Sequence, residues 1–267
     1  MQDTTTLNMH LTLDHDSLAS ALNGLDYTRS DMLKHFFGEI ELSALVQRLW
    51  HSTNLRPIVS RNGILSHVKH GPDPEDHSAR TDFFDYHCDG AYLERLPDIC
   101  VLYCVQSGSF EIPTHFVDTR TVVKSILKRG VDPRALSLIE QSYKSRFGNL
   151  QHRKILGRHP RSGELVLHCS VGVGKLKCPK NRFGVSLDEE ELTNLWLLIQ
   201  EEIRSSPAVV EHWTKGKLVV WDNHTYLHGR LTNLTDLNRE LVRLWLSLSS
   251  QFPKVSSRPI KDIDKAA

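Results

Sequence analysis

The chain has 267 residues, a formal net charge of +1, and 39% hydrophobic and 24% charged side chains, the balance of an ordinary soluble globular protein. That near-neutral charge, with no basic stripe carrying interleaved aromatics, removes the electrostatic case for nucleic-acid or membrane partners; Lys175 to Arg182 reads as a short solvated loop. No apolar run is long enough to cross a bilayer. The start Met1-Gln2-Asp3-Thr4-Thr5-Thr6 lacks the basic and apolar regions of a signal peptide, and five cysteines without a Cys-x-x-Cys pair read as reduced thiols in the cytoplasm.

In chain order, residues 1–27 are polar and form a peripheral terminus. From Ser30 to His51 the apolar positions Met32, Leu33, Phe36, Phe37, Leu42, Leu45, Val46, Leu49 and Trp50 recur at three and four residues, which predicts helix, with a break at Gly38. Arg56 to Ser66 is extended with an Asn62-Gly63 turn, and 67–80 is loop, rich in Pro, Asp, His and Gly. Ile99 to Gln106 is a dense β-type run and predicts a buried strand; Thr114 to Asp118 is a second, shorter one. Helices follow at Thr119 to Lys128 and Pro133 to Ser145, the second with proline in its first turn. Leu165 to Ser170 reads as strand. Leu187 to Arg204 is an amphipathic helix with Asp188, Glu189, Glu190 and Glu191 at its positive end. Trp196 and Leu197 on it suit a subunit interface as well as a core, so self-association stays open. Lys217 to Trp221 and Glu240 to Leu248 are the closing strands, and the tail from Pro253 is peripheral. Short strands with helices gathered in a few places predict one mainly β domain over 1–267, a jelly-roll core with flanking helices.

His87 and Asp89 lie one residue apart in Tyr86-His87-Cys88-Asp89-Gly90, and His228 follows Trp221-Asp222-Asn223 far downstream. Two imidazoles and one carboxylate so spaced make the set that holds non-haem Fe(II) on one face and leaves the other open for a cosubstrate and O₂. Strand periodicity puts His87 and Asp89 on one face and Cys88 on the other. The same periodicity aligns Arg239 with Arg243. A buried guanidinium needs an anion; a dicarboxylate cosubstrate supplies one, and a surface pair with Asp236 or Glu240 is the plain alternative.

These pieces, in this order, resemble the taurine/2-oxoglutarate dioxygenase (TauD/TfdA-like) family of Fe(II)- and 2-oxoglutarate-dependent oxygenases. The likeness covers roughly residues 80 to 250. It rests on Tyr86 to Gly90, Pro113 to Arg120, Arg158 to Leu165, Trp221-Asp222-Asn223 with His228, and Arg239 with Arg243. The resemblance implies a double-stranded β-helix core with His87, Asp89 and His228 as iron ligands. It gives Thr114 and Arg239 to 2-oxoglutarate, and Arg243 to the primary substrate. His115 and Tyr226 lie beside site residues, which suggests that they line the pocket, with ordinary packing as the alternative. It implies hydroxylation or desaturation of an aliphatic C–H bond in a small acidic or zwitterionic molecule such as a free amino acid, with release of succinate and CO₂. Because Asp89 is a carboxylate, a halide site at iron is disfavoured. Asp82, Asp85 and the run Asp73-Pro74-Glu75-Asp76 offer carboxylates to a substrate ammonium. The competing reading is a non-oxygenase jelly roll, Zn-dependent or merely ligand-binding, which leaves Arg239 and Thr114 without a purpose.

Overall fold

The computed structural model describes residues 33–36, 46, 55–59, 63–70, 82–108, 112–144, 148, 150–172, 175–178, 186–233 and 237–248. The first part of the chain supplies strands β1 (Leu33–Phe36), β2 (Leu55–Pro57), β3 (Leu65–Lys69), β4 (Phe84–His87), β5 (Ile99–Gln106) and β6 (Thr114–Asp118). Helices α1 (Thr119–Lys128) and α2 (Pro133–Leu138) follow, then β7 (Glu140–Lys144), β8 (Leu150–Lys154), β9 (Leu156–Arg158), β10 (Leu165–Leu167) and β11 (Lys175–Lys177). The last part holds α3 (Glu189–Ser205), β12 (Ala208–Glu211), β13 (Lys217–Asp222), β14 (Tyr226–Arg230) and β15 (Glu240–Leu248).

Two antiparallel sheets face each other as a jelly roll. One runs β1-β13-β5-β15-β2, with β3 also on β15; the other runs β12-β6-β14-β4. Strand β5 shows why its sequence is an unbroken apolar run: both of its faces are buried. Ile99, Val101 and Tyr103 pack outward with Val46, Leu55, Leu218 and Leu244. Cys100, Leu102 and Cys104 pack inward with Phe116, Trp213, Trp221, Tyr226 and Trp245, between the sheets. The outer face of the four-stranded sheet, including Val117 and Leu227, is covered by Val122, Val123 and Ile126 of α1 and Trp196, Ile199 and Ile203 of α3.

The helices start where their caps say they should. Asp118 accepts from the Arg120 N–H at the head of α1, and Asp188 with Glu191 forms a capping box at the head of α3. Trp196 is a core residue, while Leu197 is exposed. Among the described residues no helix is long and apolar enough to cross a membrane.

Two helix expectations need correction. Within 30–51, Leu33–Phe36 is a strand paired with β13 from Leu33↔Val220 to Phe36↔Lys217; Val46 is helical, and the remaining residues lie outside the described ones. The three-and-four spacing of that stretch is overridden at its start by a long-range pairing that local pattern cannot register. The helix at Pro133 stops at Leu138, because Ile139 turns extended and Glu140–Lys144 enters a sheet between β8 and β11. The strand from Leu165 ends at Leu167, with Ser170 reduced to a bridge to His87. Gly63 does adopt a positive φ of 89°. Asn62, residues 1–27 and the tail from Pro253 lie outside the described residues.

Candidate metal centre

Antiparallel pairing of β14 with β4 sets His228 directly opposite His87, followed by a register shift before Arg230. The two imidazole centroids are 4.2 Å apart. The strands come this close because position 229 is glycine: a Cβ there would lie 2.9 Å from the Phe84 carbonyl oxygen and 3.0 Å from the Tyr86 nitrogen. His87 Nδ1 lies 2.9 Å from the Asp85 carbonyl oxygen, to which it donates, so the Nε2 lone pair faces inward. Phe84 stacks on the His87 ring at 3.9 Å, and Trp221 tilts against His228 at 4.9 Å.

Asp89 is not on the strand, which ends at His87; it sits in the turn that follows. Gly90 takes φ 68° there, and a Cβ at that position would stand 2.7 Å from Pro97 Cδ. Asn223, at the start of the β13–β14 connection, holds this turn from both sides. Its Oδ1 accepts from the Asp89 N–H at 2.9 Å, and its Nδ2 donates to the carbonyls of Asp89 and Pro97 at 3.0 and 3.1 Å. The Asp89 carboxylate then reaches the imidazoles. Its Oδ1 is 3.9 Å from His87 Nε2, and its Oδ2 is 3.9 Å from His228 Nε2. One ligand atom from each residue fits within 4.8 Å of the others, and all three residues are buried.

The electrostatics suit a cation. Burial pushes both imidazoles towards the neutral form, His228 down to about 3, so each presents a lone pair. Burial pushes the Asp89 carboxyl upward, but Arg243, His228, His87 and the Trp245 N–H outweigh it and hold it down at about 2. Two neutral nitrogens and one anion, all desolvated and converging, are the donor set a divalent first-row metal takes. Cys88 points away into the outer core, and burial drives its thiol up to about 12, so it is not a fourth ligand.

Arg239 is 4% exposed, and its Nε has no hydrogen-bond partner. Burial, then Arg230, lowers its pKa to about 10, which still leaves it cationic at neutral pH. No carboxylate among the described residues pairs with it; Glu240 instead takes His67 and Lys69. Thr114 is buried, and its Oγ1 accepts from Trp213 Nε1 at 2.9 Å, which leaves the hydroxyl proton free to donate. Tyr226 shares the inward face of β14 with His228.

The structure does not bring His115 into this group. It alternates with the inward-facing Thr114 and Phe116, and lies opposite Val210 and Gly229 on the outer side, near enough to His212 to be lowered by it after burial. Arg243 does not stand free at a mouth: its NH1 donates to Asp89 Oδ1 at 3.1 Å, and its Cζ lies 4.4 Å over the Trp245 ring. Asp85 is taken by Arg204 at 2.7 Å, and Asp73 to Asp76 lies outside the described residues. Asn223, Trp213 and Trp245 are the contributors that sequence reasoning left without a role.

A second buried set underlies the Asn223 turn. Asp222 accepts from His159 at 2.9 Å and from Arg161 at 2.7 Å, and caps the turn through the His224 N–H at 2.8 Å. His224 lies 3.1 Å from Asp98 and 3.3 Å from His168. These bonds brace the backbone that positions Asn223.

The sequence profile of the taurine catabolism dioxygenase TauD, TfdA family matches residues 32–245. Over 194 residues the chain is 26% identical to the tyrosine isonitrile desaturase of Erwinia amylovora (strain CFBP1430), covering 68% of this chain and 64% of the relative. It is 23% identical over 188 residues to the 3-((Z)-2-isocyanoethenyl)-1H-indole synthase of Fischerella ambigua (strain UTEX 1903), covering 64% and 66%. The chain thus spans slightly under two thirds of the length of these curated relatives. Among solved structures, PvcB from Pseudomonas aeruginosa is similar with TM-score 0.65 at 21% identity, covering 89% of this chain and 81% of that one. A second PvcB structure is described as an Fe, alpha-ketoglutarate dependent oxygenase from an isonitrile synthetic pathway.

Proposed function

The chain belongs to the taurine catabolism dioxygenase TauD, TfdA family, and from that membership we propose that it is an Fe(II)- and 2-oxoglutarate-dependent oxygenase. Its reaction is hydroxylation or desaturation of an aliphatic C–H bond in a small amino-acid-derived acid, with succinate and CO₂ as coproducts. The observation that carries this reading is the convergence of His87, Asp89 and His228 within 4.8 Å as two neutral imidazoles and one anion. Ferrous iron held by these three, together with 2-oxoglutarate and O₂, supplies the oxidising power that an unactivated C–H bond requires. A Zn²⁺ site of the same ligands explains the triad, but gives no use to a buried, uncompensated Arg239.

The rest is the work of the chain's own residues. Arg239, helped by the free Thr114 hydroxyl, anchors the far carboxylate of 2-oxoglutarate and so relieves the desolvation of its own charge. The aromatic residues between the sheets, with Trp221 and Phe116 against His228, and Phe84 stacked on His87, keep water out of the reacting space. Burial disfavours the charged form of His87 and His228, which favours the neutral imidazoles that a metal takes.

The substrate's nitrogen is constrained as well. Among the described residues every buried carboxylate outside the triad already has a partner: Asp85 has Arg204, Glu202 has Arg129, Glu211 has Lys217, Asp222 has Arg161, and Asp98 is hydrogen-bonded by the His224 ring and the Leu248 N–H. A substrate ammonium therefore meets no spare buried anion. An uncharged nitrogen, such as the isocyano group in the names of both curated relatives, fits better than a free amine. The test is a succinate-release screen comparing free amino acids with their N-isocyano counterparts, with mass analysis of every hit. The expected result is release by isocyano acids, with a product two hydrogens lighter or one oxygen heavier. Equal release by the free amino acids overturns the uncharged-nitrogen reading, and no 2-oxoglutarate turnover with any of them overturns the oxygenase reading.

A further inference from the structure

The three ligands of the triad are not held in the same way. His87 and His228 ride on paired strands, and the Asp85 carbonyl fixes the His87 tautomer. Asp89 stands in a turn, and Asn223 grips only its backbone. That leaves the side chain with the soft terminal torsion of any aspartate, which is broad and roughly twofold. What sets the carboxylate comes from the opposite sheet: Trp245 Nε1 donates to Oδ2 at 2.9 Å, while Arg243 NH1 donates to Oδ1 at 3.1 Å. Trp245 is 3% exposed and pairs with Cys100 in the middle of the six-stranded sheet, and the Arg243 guanidinium lies over its ring. A nitrogen donor on each oxygen defines the carboxylate plane, and the Cys100 thiol of the same sheet bonds the carboxylate as well.

We infer that Trp245, seconded by Arg243, is a positioning residue of the metal centre, orienting the Asp89 carboxylate so that one oxygen is presented to the ion between the two histidines. This rests on the reading of His87, Asp89 and His228 as a metal site. The two donors differ in sign. Arg243 brings a positive charge that also opposes a divalent cation, whereas Trp245 is neutral, so removing its N–H changes orientation and leaves charge alone. Loss of a hydrogen-bond partner behind a metal ligand commonly costs 10- to 100-fold in metal affinity.

The experiment is an anaerobic Co(II) titration of wild-type protein, Trp245→Phe and His87→Ala, following the cobalt d–d absorption. The expected result is an affinity about 10- to 100-fold weaker in Trp245→Phe, with a changed d–d spectrum that a loss of packing alone would not produce. Wild-type affinity and spectrum in Trp245→Phe, with binding lost in His87→Ala, overturns the positioning role alone. Undiminished binding in His87→Ala overturns the metal site itself. If Trp245→Phe does not fold, the isosteric replacement of Trp245 by β-(3-benzothienyl)alanine removes the N–H and keeps the ring shape, and its titration decides in the same two ways.

Discussion

A guanidinium that is 4% exposed, with an Nε that has no hydrogen-bond partner, raises the free energy of the fold unless an anion arrives. That is why Arg239 says more about function than a surface arginine does. Replacing it with alanine removes charge-assisted hydrogen bonds worth roughly 1.5–3 kcal/mol, about ten- to a hundredfold in the 2-oxoglutarate requirement. Steady-state kinetics against 2-oxoglutarate measures this; an unchanged requirement denies Arg239 its role. The sequence exposes residues of this kind because their chemistry is costly to bury without a purpose; strand periodicity does not align Arg239 with Arg243, since Arg239 precedes β15 and the register shifts between Glu240 and Leu241. The same periodicity, applied to Thr114, already turns His115 to the other face. Adjacency in sequence to a site residue is therefore a poor guide within a strand. Trp245 and Asn223 are illegible for a different reason: their contribution is a hydrogen bond to a residue more than 130 positions away, and no local pattern encodes it.

At the scale of elements, the site is an approach of β4 to β14. Gly229 permits it, since any side chain would meet the backbone of Phe84, Asp85 and Tyr86 at 2.9 to 3.0 Å. Gly229→Ala forces the strands apart, at a cost of about 1–3 kcal/mol for overpacking. It is expected to lower the unfolding midpoint in denaturant and weaken metal binding together, because the His87–His228 pairing is what moves. A variant with wild-type metal affinity shows that the site does not depend on this approach. Strands β5, β6 and β15 and helix α1 were legible to the residue, since apolar runs and capping residues are local signals. Strands β1 and β7 were not. The first lies where apolar spacing imitates a helix, and the second is a polar stretch, Glu-Gln-Ser-Tyr-Lys, that becomes strand only because β8 and β11 flank it.

Over the whole molecule, the two sheets divide the labour. The four-stranded sheet carries both imidazoles, the six-stranded sheet supplies Trp245 and Arg243, and Arg239 stands immediately before β15 of that sheet. The turn held by Asp222, His159 and His224 supplies Asn223 to the backbone of Asp89. The jelly-roll class was legible because short strands, gathered helices and the ordered motifs agree, whereas which sheet holds which ligand depends on pairing and was not. Oxygenase chemistry here requires ferrous iron bound between these sheets with 2-oxoglutarate beside it. The direct measurement is an anaerobic titration of Fe(II) and then 2-oxoglutarate into wild-type protein and His228→Ala, watching for the weak visible charge-transfer band of the ternary complex. The expected result is one iron per wild-type chain and a band that grows on adding 2-oxoglutarate, with neither in the variant. The same stoichiometry and band in His228→Ala would contradict it.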